Sequence, residues 1–248
     1  MCGRYSLLLS ADNLANRFNV TVPESYQPRY NAAPGQSLPV ITDEEPGAVR
    51  QQEWGLIPPW ADSTDEGGYI NARGETLEEK PSFRDAFRQE STGTLQVGRC
   101  LVPADSFYEW TDLDGTTQPF RVTLTEERPF AMAGLWAQYQ PETTQTDLGA
   151  FTGGGETDNA DVIESFTIVT TTPNEVVEQL HHRMAVVLDP ADEKRWLQEP
   201  VSEVADLLGP YPSTAMDVYP VSTAVNDPAN DAPAVVEPIE IDHEVGSL

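Results

Sequence analysis

Apolar positions along this chain recur mostly at the short spacing of strands, with a few stretches of helical period between them. Tyr5–Leu9 reads as a short strand, and about Ala11 to Phe18 as a helix with Ser10 as its N-cap. Arg29 to Gly35 reads as a loop from its Asn, Pro and Gly content, and Leu38–Thr42 as a strand after it. Trp54-Gly55-Leu56-Ile57-Pro58-Pro59-Trp60 is too proline-rich to be a central strand throughout. A helix is predicted from about Pro81 to Gln89, with proline in the first turn and Phe83 and Phe87 one turn apart. Strands are then predicted around Cys100–Val102, Phe107–Thr111, Phe120–Leu124 and Phe130–Trp136, with Asp114-Gly115 as a hairpin turn.

The polar, acidic, Gly-rich stretch at about 140–163 reads as a surface insertion rather than a domain linker. Beyond it, Phe166–Thr170 is a predicted strand. Thr172-Pro173-Asn174-Glu175 has the form of a capping box opening a helix to about Leu180, and Ala185–Leu188 is apolar enough for a strand. Short helices at about Ala191–Leu197 and Ser202–Leu208 and strands near Asp217–Ser222 and Ala234–Ile239 complete the pattern, with an acidic tail at about 241–248. No repeat and no βαβ alternation appears, which favours an α+β fold of mostly antiparallel sheets, in one domain over 1–248.

Charge changes this picture. The chain carries 41 Asp and Glu against 14 Lys and Arg, a net charge of −27, and only two of the bases, Lys80 and Lys194, are lysines. Five Trp, eight Tyr and eight Phe argue against disorder, so the composition is read as that of a folded halophile protein kept hydrated in concentrated salt. Residues 1–110 have a net charge of −7 and residues 111–248 one of −20, so the arginines are concentrated in the first half. No ~20-residue apolar span and no signal-peptide pattern is present, so a cytoplasmic, monomeric protein without membrane contact is expected. Cys2 and Cys100 make no disulfide framework, and neither a metal-type spacing nor a phosphate-binding Gly loop occurs, so no metal and no cofactor is expected.

The candidate chemistry begins at Met1-Cys2-Gly3-Arg4. Removal of Met1 would leave a cysteine with an α-amine and a thiol on adjacent carbons, titrating near ~7.7–8 and ~8.5 when unperturbed. Such a 1,2-aminothiol takes an aldehyde as a Schiff base and closes on it with sulfur to a thiazolidine. Taken alone, Cys2 reads more readily as a plain N-terminal residue than as a nucleophile.

The blocks Cys2-Gly3-Arg4, Arg29-Tyr30-Asn31-Ala32-Ala33-Pro34-Gly35, Trp54-Gly55-Leu56-Ile57-Pro58 and Asn71-Ala72-Arg73-Gly74-Glu75-Thr76 occur in order. They are followed by Arg99-Cys100-Leu101-Val102-Pro103, Phe107-Tyr108-Glu109-Trp110, Ala133-Gly134-Leu135-Trp136 and His181-His182-Arg183-Met184. From residue 2 to about residue 240 the chain resembles the SOS-response-associated peptidase family, also described as abasic-site processing or DNA-protein crosslink sensor proteins. The resemblance implies twisted antiparallel sheets around a barrel-like core with a few peripheral helices, a groove for single-stranded DNA, and a crosslink between the N-terminal cysteine and the aldehyde of an abasic site. It implies a catalytic set of Cys2, Asn71, Glu109 and His181. Asn71 would orient the amine, Glu109 would move protons if burial raises its pKa, and His181 would assist transfer or hold the sugar. Without the resemblance, Asn71 reads as a turn residue and Glu109 as a solvated acid. Ala185 stands where the family usually carries proline and His182 where an acid is common, so the histidine role lies between His181 and His182.

For DNA contact the resemblance points to Arg4, Arg29, Asn31, Trp60, Arg73, Arg84 and Arg183. Arginine holds phosphates bidentately, and Trp60 either stacks on bases or packs against the protein. Two other functions use the same residues: a thiol peptidase with Cys2 as N-terminal nucleophile, and a non-covalent single-strand binding module.

Overall fold

The computed structural model describes residues 2–64, 67–91, 93–113, 115–125, 128–141 and 161–241. Its centre is a closed five-stranded barrel of β3 (Ser37–Thr42), β4 (Arg50–Trp54), β6 (Val97–Ala104), β9 (Phe130–Tyr139) and β10 (Ile163–Thr171). Four of the five pairings are antiparallel; the ring closes where β10 pairs in parallel with β4. Closure removes the exposed edges that an open sheet would leave. All eight residues of β6 are buried, so this strand reads as a continuous run and not as an alternation. A second, fully antiparallel sheet runs β13 (Met216–Pro220), β8 (Thr116–Leu124), β7 (Ser106–Leu113), β1 (Tyr5–Leu7) and β2 (Arg29–Ala32). The short β5 (Asn71–Arg73) lies parallel to β10, and β11 (Met184–Ala185) and β12 (Val187–Leu188) pair with β10 and β9.

Helix α1 (Ala11–Phe18) has the expected bounds: the Ser10 side chain accepts from Asn13 N at 3.3 Å, and Asn19 ends the helix in the left-handed conformation. Helix α2 (Pro81–Arg88) starts on its proline and buries Phe83, Ala86 and Phe87. Helices α3 (Glu193–Gln198) and α4 (Val201–Val204) are short and peripheral. Among the described residues no helix is long and apolar enough to cross a membrane.

Four local expectations are corrected. Arg29–Ala32 is a strand, because β1 supplies backbone partners that override the loop-forming residues. The proposed capping box forms only a 3₁₀ turn at Val177–Gln179: Asn174 Oδ1, not Thr172, accepts from Val177 N at 2.9 Å. The strand predicted at 185–188 is broken at Val186, which hydrogen-bonds to Val169 on one side and Ala133 on the other. The last predicted strand is a 3₁₀ turn at Pro233–Val235 with a single bridge, Val221 to Pro238. Most of the proposed insertion and the acidic tail (142–160 and 242–248), with Asp114 of the hairpin turn, lie outside the described residues. Across that turn Leu113 pairs with Thr116, and Gly115 has φ +84°.

The segment after β4 is pinned at its base. Leu56 and Tyr69 exchange backbone hydrogen bonds of 3.0 and 2.9 Å, and Gly55 N donates to Phe166 O at 2.9 Å. A Cβ on Gly68 would meet the Gly55 carbonyl oxygen at 1.9 Å, so the two backbones touch only because residue 68 is glycine. Gly68→Ala should therefore cost about 1–3 kcal/mol and melt several degrees lower; an unchanged melting temperature would show that the loop base is soft.

Candidate functional site

The site forms where the chain's first residues run beside β7. Tyr5 pairs with Phe107, and Tyr108 N donates to Arg4 O at 3.0 Å. Continued by two residues, this antiparallel register sets Gly3 beside Glu109 and brings Cys2 into the same neighbourhood. Alternation along β7 sends Tyr108 and Trp110 to a small apolar cluster with Val221, Val225 and Val235, and Phe107 to the main core that contains Cys2. Glu109 shares the face of Phe107, which is why a carboxyl that reads as solvated is 1 % exposed.

Cys2 is itself fully buried, and its carbonyl accepts from Asn71 Nδ2 at 2.9 Å. Asn71 is carried there by β5, which pairs it with Ile168 of β10. Its other amide atom, Oδ1, is buried and accepts no hydrogen bond among the described residues. His181 follows the 3₁₀ turn, donating its backbone N–H to Val177 O at 2.8 Å, and its Nδ1 lies 3.9 Å from Glu109 Oε2. The four residues expected to act together thus converge from β1's N-terminal extension, β5, β7 and the loop before β11.

Burial dominates their electrostatics. It pushes the Glu109 carboxyl up to about 7, with the positive amino terminus pulling in the opposite direction. Burial, and secondarily the Glu109 charge, raises the Cys2 thiol far above its ordinary value, so this sulfur is held as S–H at neutral pH. Burial also lowers His181. Arg183 N donates to His181 Nδ1 at 3.0 Å, and the Arg183 carbonyl lies 3.1 Å from the same atom. Nδ1 can therefore accept from one backbone group or, once protonated, donate to the other. The His182 ring lies 4.2 Å from that of His181, centroid to centroid, and is exposed.

The residues expected to meet DNA separate into two groups. Trp60 is 56 % exposed on its loop, between cavities of about 300 and 380 Å³ that it helps to line. Arg73 is exposed at the end of β5, and Arg84 is partly exposed and paired with Asp85 at 2.9 Å. The others are engaged within the protein. Arg183 is buried, grips Glu75 through two contacts of 2.6 and 2.9 Å and donates to Thr170 O at 2.7 Å. That pairing holds the Glu75 carboxyl below its usual range. Arg4 donates to Asn31 Oδ1, Val225 O and Asn226 O at 3.0, 2.6 and 3.2 Å. Arg29 pairs with Asp231 at 3.0 Å, and Asn31 is fully buried. Two partners escaped the reading of the sequence. Glu75 lies inside a quoted block, so pairing an acid there with Arg183 was open to inference; Asp231, in a stretch dense with acids, carried no signal. Among the described residues no group of three His, Cys, Asp or Glu is placed to hold a metal.

The whole arrangement has relatives. A model of the SOS response associated peptidase (SRAP) family matches residues 1–228. The abasic site processing protein YoqW of Bacillus subtilis is 39% identical over 247 residues, covering 96% of this chain and 99% of the relative. The abasic site processing protein HMCES of Gallus gallus is 30% identical, covering 87% of this chain and 68% of the relative. A crystal structure of a protein from Bacteroides thetaiotaomicron superposes with a TM-score of 0.79 at 25% identity, over 96% of this chain and all of that one. With the family model spanning most of its length, this chain belongs to the SOS response associated peptidase family.

Proposed function

We propose that, after Met1 is removed, this protein captures abasic sites in single-stranded DNA by a covalent bond to Cys2, shielding the lesion. The observation that carries the reading is the buried Glu109, poised to titrate at about 7, on the face where Cys2, Asn71 and His181 converge. The α-amine of Cys2 attacks the ring-opened aldehyde, and loss of water gives an imine. The thiol then adds to the imine carbon while its proton passes to nitrogen, closing a thiazolidine. A thiol kept as S–H suits this order, with amine first and sulfur second, better than it suits thiolate attack on a peptide bond. Asn71 Oδ1, buried and with no donor among the described residues, is available to the new amine. Glu109 and His181 move the protons that ring opening, dehydration and closure require. The names of YoqW and HMCES support the substrate class.

Intact mass measured with and without an abasic oligonucleotide tests the proposal. Protein lacking Met1 gains the oligonucleotide's mass less one water for each imine formed, and the adduct survives denaturation. Protein that only binds reversibly, or that cleaves a peptide in trans with no adduct, would replace this reading by one of the two others.

Trp60, Arg73 and Arg84 are the proposed contacts to the strand. Phosphate contacts weaken as salt rises, with a log–log slope near −0.7 per contact for single strands. Thus Arg73→Ala should lower reversible affinity and flatten that slope by roughly 0.7. A protein of net charge −27 gains most from a bond that screening cannot weaken. Adduct yield should accordingly fall less with KCl than reversible binding of undamaged strand, and equal slopes would refute this.

A further inference from the structure

Cys2 and Gly3 precede the first strand, and chain ends fray unless tied down. The tie reaches in from the far end of the sequence. Arg4 sends its guanidinium to the carbonyls of Val225 and Asn226, 2.6 and 3.2 Å away, and to Asn31 Oδ1. Asn31, fully buried, turns its amide nitrogen to the carbonyls of Val225, Asp227 and Asn230 at 3.0–3.1 Å. The Asp231 carboxylate accepts from the backbone N–H groups of Tyr30 and Asn31 at 2.6 and 3.0 Å and pairs with Arg29. On the other side Trp110 Nε1 donates to Asn226 Oδ1 at 2.7 Å. One turn therefore grips the residue two after Cys2 and the residue next to Glu109.

We propose that the turn from Val225 to Asp231 is a positioning clasp, which sets the strand carrying Cys2 in register against the strand carrying Glu109. Arg4 and Asp231 are its positioning residues. Arg4, Arg29 and Asn31 then serve the reaction from within the protein and not by holding DNA phosphates. The inference rests on the proposed chemistry for its kinetic consequence, but not for its structural one. Gly3 has no side chain to anchor it, and Cys2, though buried and bonded to Asn71 through its carbonyl, follows the backbone that Arg4 fixes two residues on. A small displacement there separates amine, thiol and carboxyl together.

Asp231→Ala removes three accepted hydrogen bonds at a distance from the reacting atoms, and Asn226→Ala removes one in a milder way. In each variant, alkylation of the two cysteines by iodoacetamide is followed by peptide mapping, with buried Cys100 as the internal reference. Cys2 should react about tenfold faster in Asp231→Ala, while Cys100 stays within about twofold. With saturating abasic oligonucleotide the adduct rate constant should fall about tenfold, and the half-saturating concentration should move less than about twofold. Unchanged Cys2 reactivity, or equal acceleration at both cysteines in both variants, overturns the clasp. So does a raised half-saturation with an unchanged rate, which would return Arg4 and Arg29 to DNA. Failure of the native protein to form any adduct would refute the crosslinking chemistry alone, because alkylation still decides the clasp.

Discussion

Cys2→Ser, processed to begin at residue 2, should give no adduct with an abasic oligonucleotide that survives a denaturing gel, a loss of at least about 10²-fold. Its amine still reaches the aldehyde, so an imine forms and hydrolyses. Borohydride added during the reaction should trap it as a stable secondary amine. The pair of results separates the two nucleophiles: the amine makes the first bond and the sulfur makes it last. An adduct of equal yield and stability from the serine variant, without reductant, would remove the thiol from the mechanism. Retaining Met1 should abolish both products, because the α-amine then belongs to another residue.

Glu109→Gln should slow adduct formation by about 10²-fold. It should also erase the inflection near pH 7 expected of the native protein's rate profile, since an amide cannot titrate. The same variant should be more stable at alkaline pH. In the native state the carboxyl keeps its proton to about pH 7, whereas an unfolded chain releases it near 4.5. The folded protein therefore binds the extra proton between those values and loses stability as pH rises through the window. The full cost of the ionised, buried carboxylate above it is on the order of 3 kcal/mol. Glutamine does not incur that cost, so its melting temperature should exceed that of the native protein at pH 8 and match it more closely at pH 4.5. Lower stability of Glu109→Gln at pH 8 would show that the carboxylate is well solvated or firmly paired. Slower chemistry joined to higher stability is the signature of a group held in an unfavourable state for its reactivity.

Local signals in the chain carried much of the fold. Ser10 ahead of an amphipathic stretch and Pro81 ahead of Phe83 and Phe87 placed both longer helices, because capping and periodicity are short-range effects. Expectations failed where long-range pairing decided. Arg29–Ala32 became a strand because β1 was there to bond it, and Thr172 lost the capping role to Asn174. The site residues were legible only as members of ordered blocks. No period or composition distinguishes Glu109 among 41 acids, and its burial depends on which face of β7 meets the core.

The sequence by itself determined a mostly antiparallel α+β protein, its acidic character, and the reactive possibility at Cys2, since composition, periodicity and the chemistry of an aminothiol need no partner. The family resemblance also marked Arg4, Arg29, Asn31 and Arg183 as contacts to DNA, without showing what the fold places against them. Only the tertiary structure decided that: closure of the barrel by β10 and the return of residues 225–231 onto the first strand place carboxylates and carbonyls against those side chains. The Arg183 guanidinium is buried and those of Arg4 and Arg29 are only partly exposed, whereas Trp60 and Arg73 are displayed to solvent. The physical reason is that a side chain's role follows from which acceptors the fold brings within about 3 Å of it, and for Arg4 one of those lies 221 residues away along this chain.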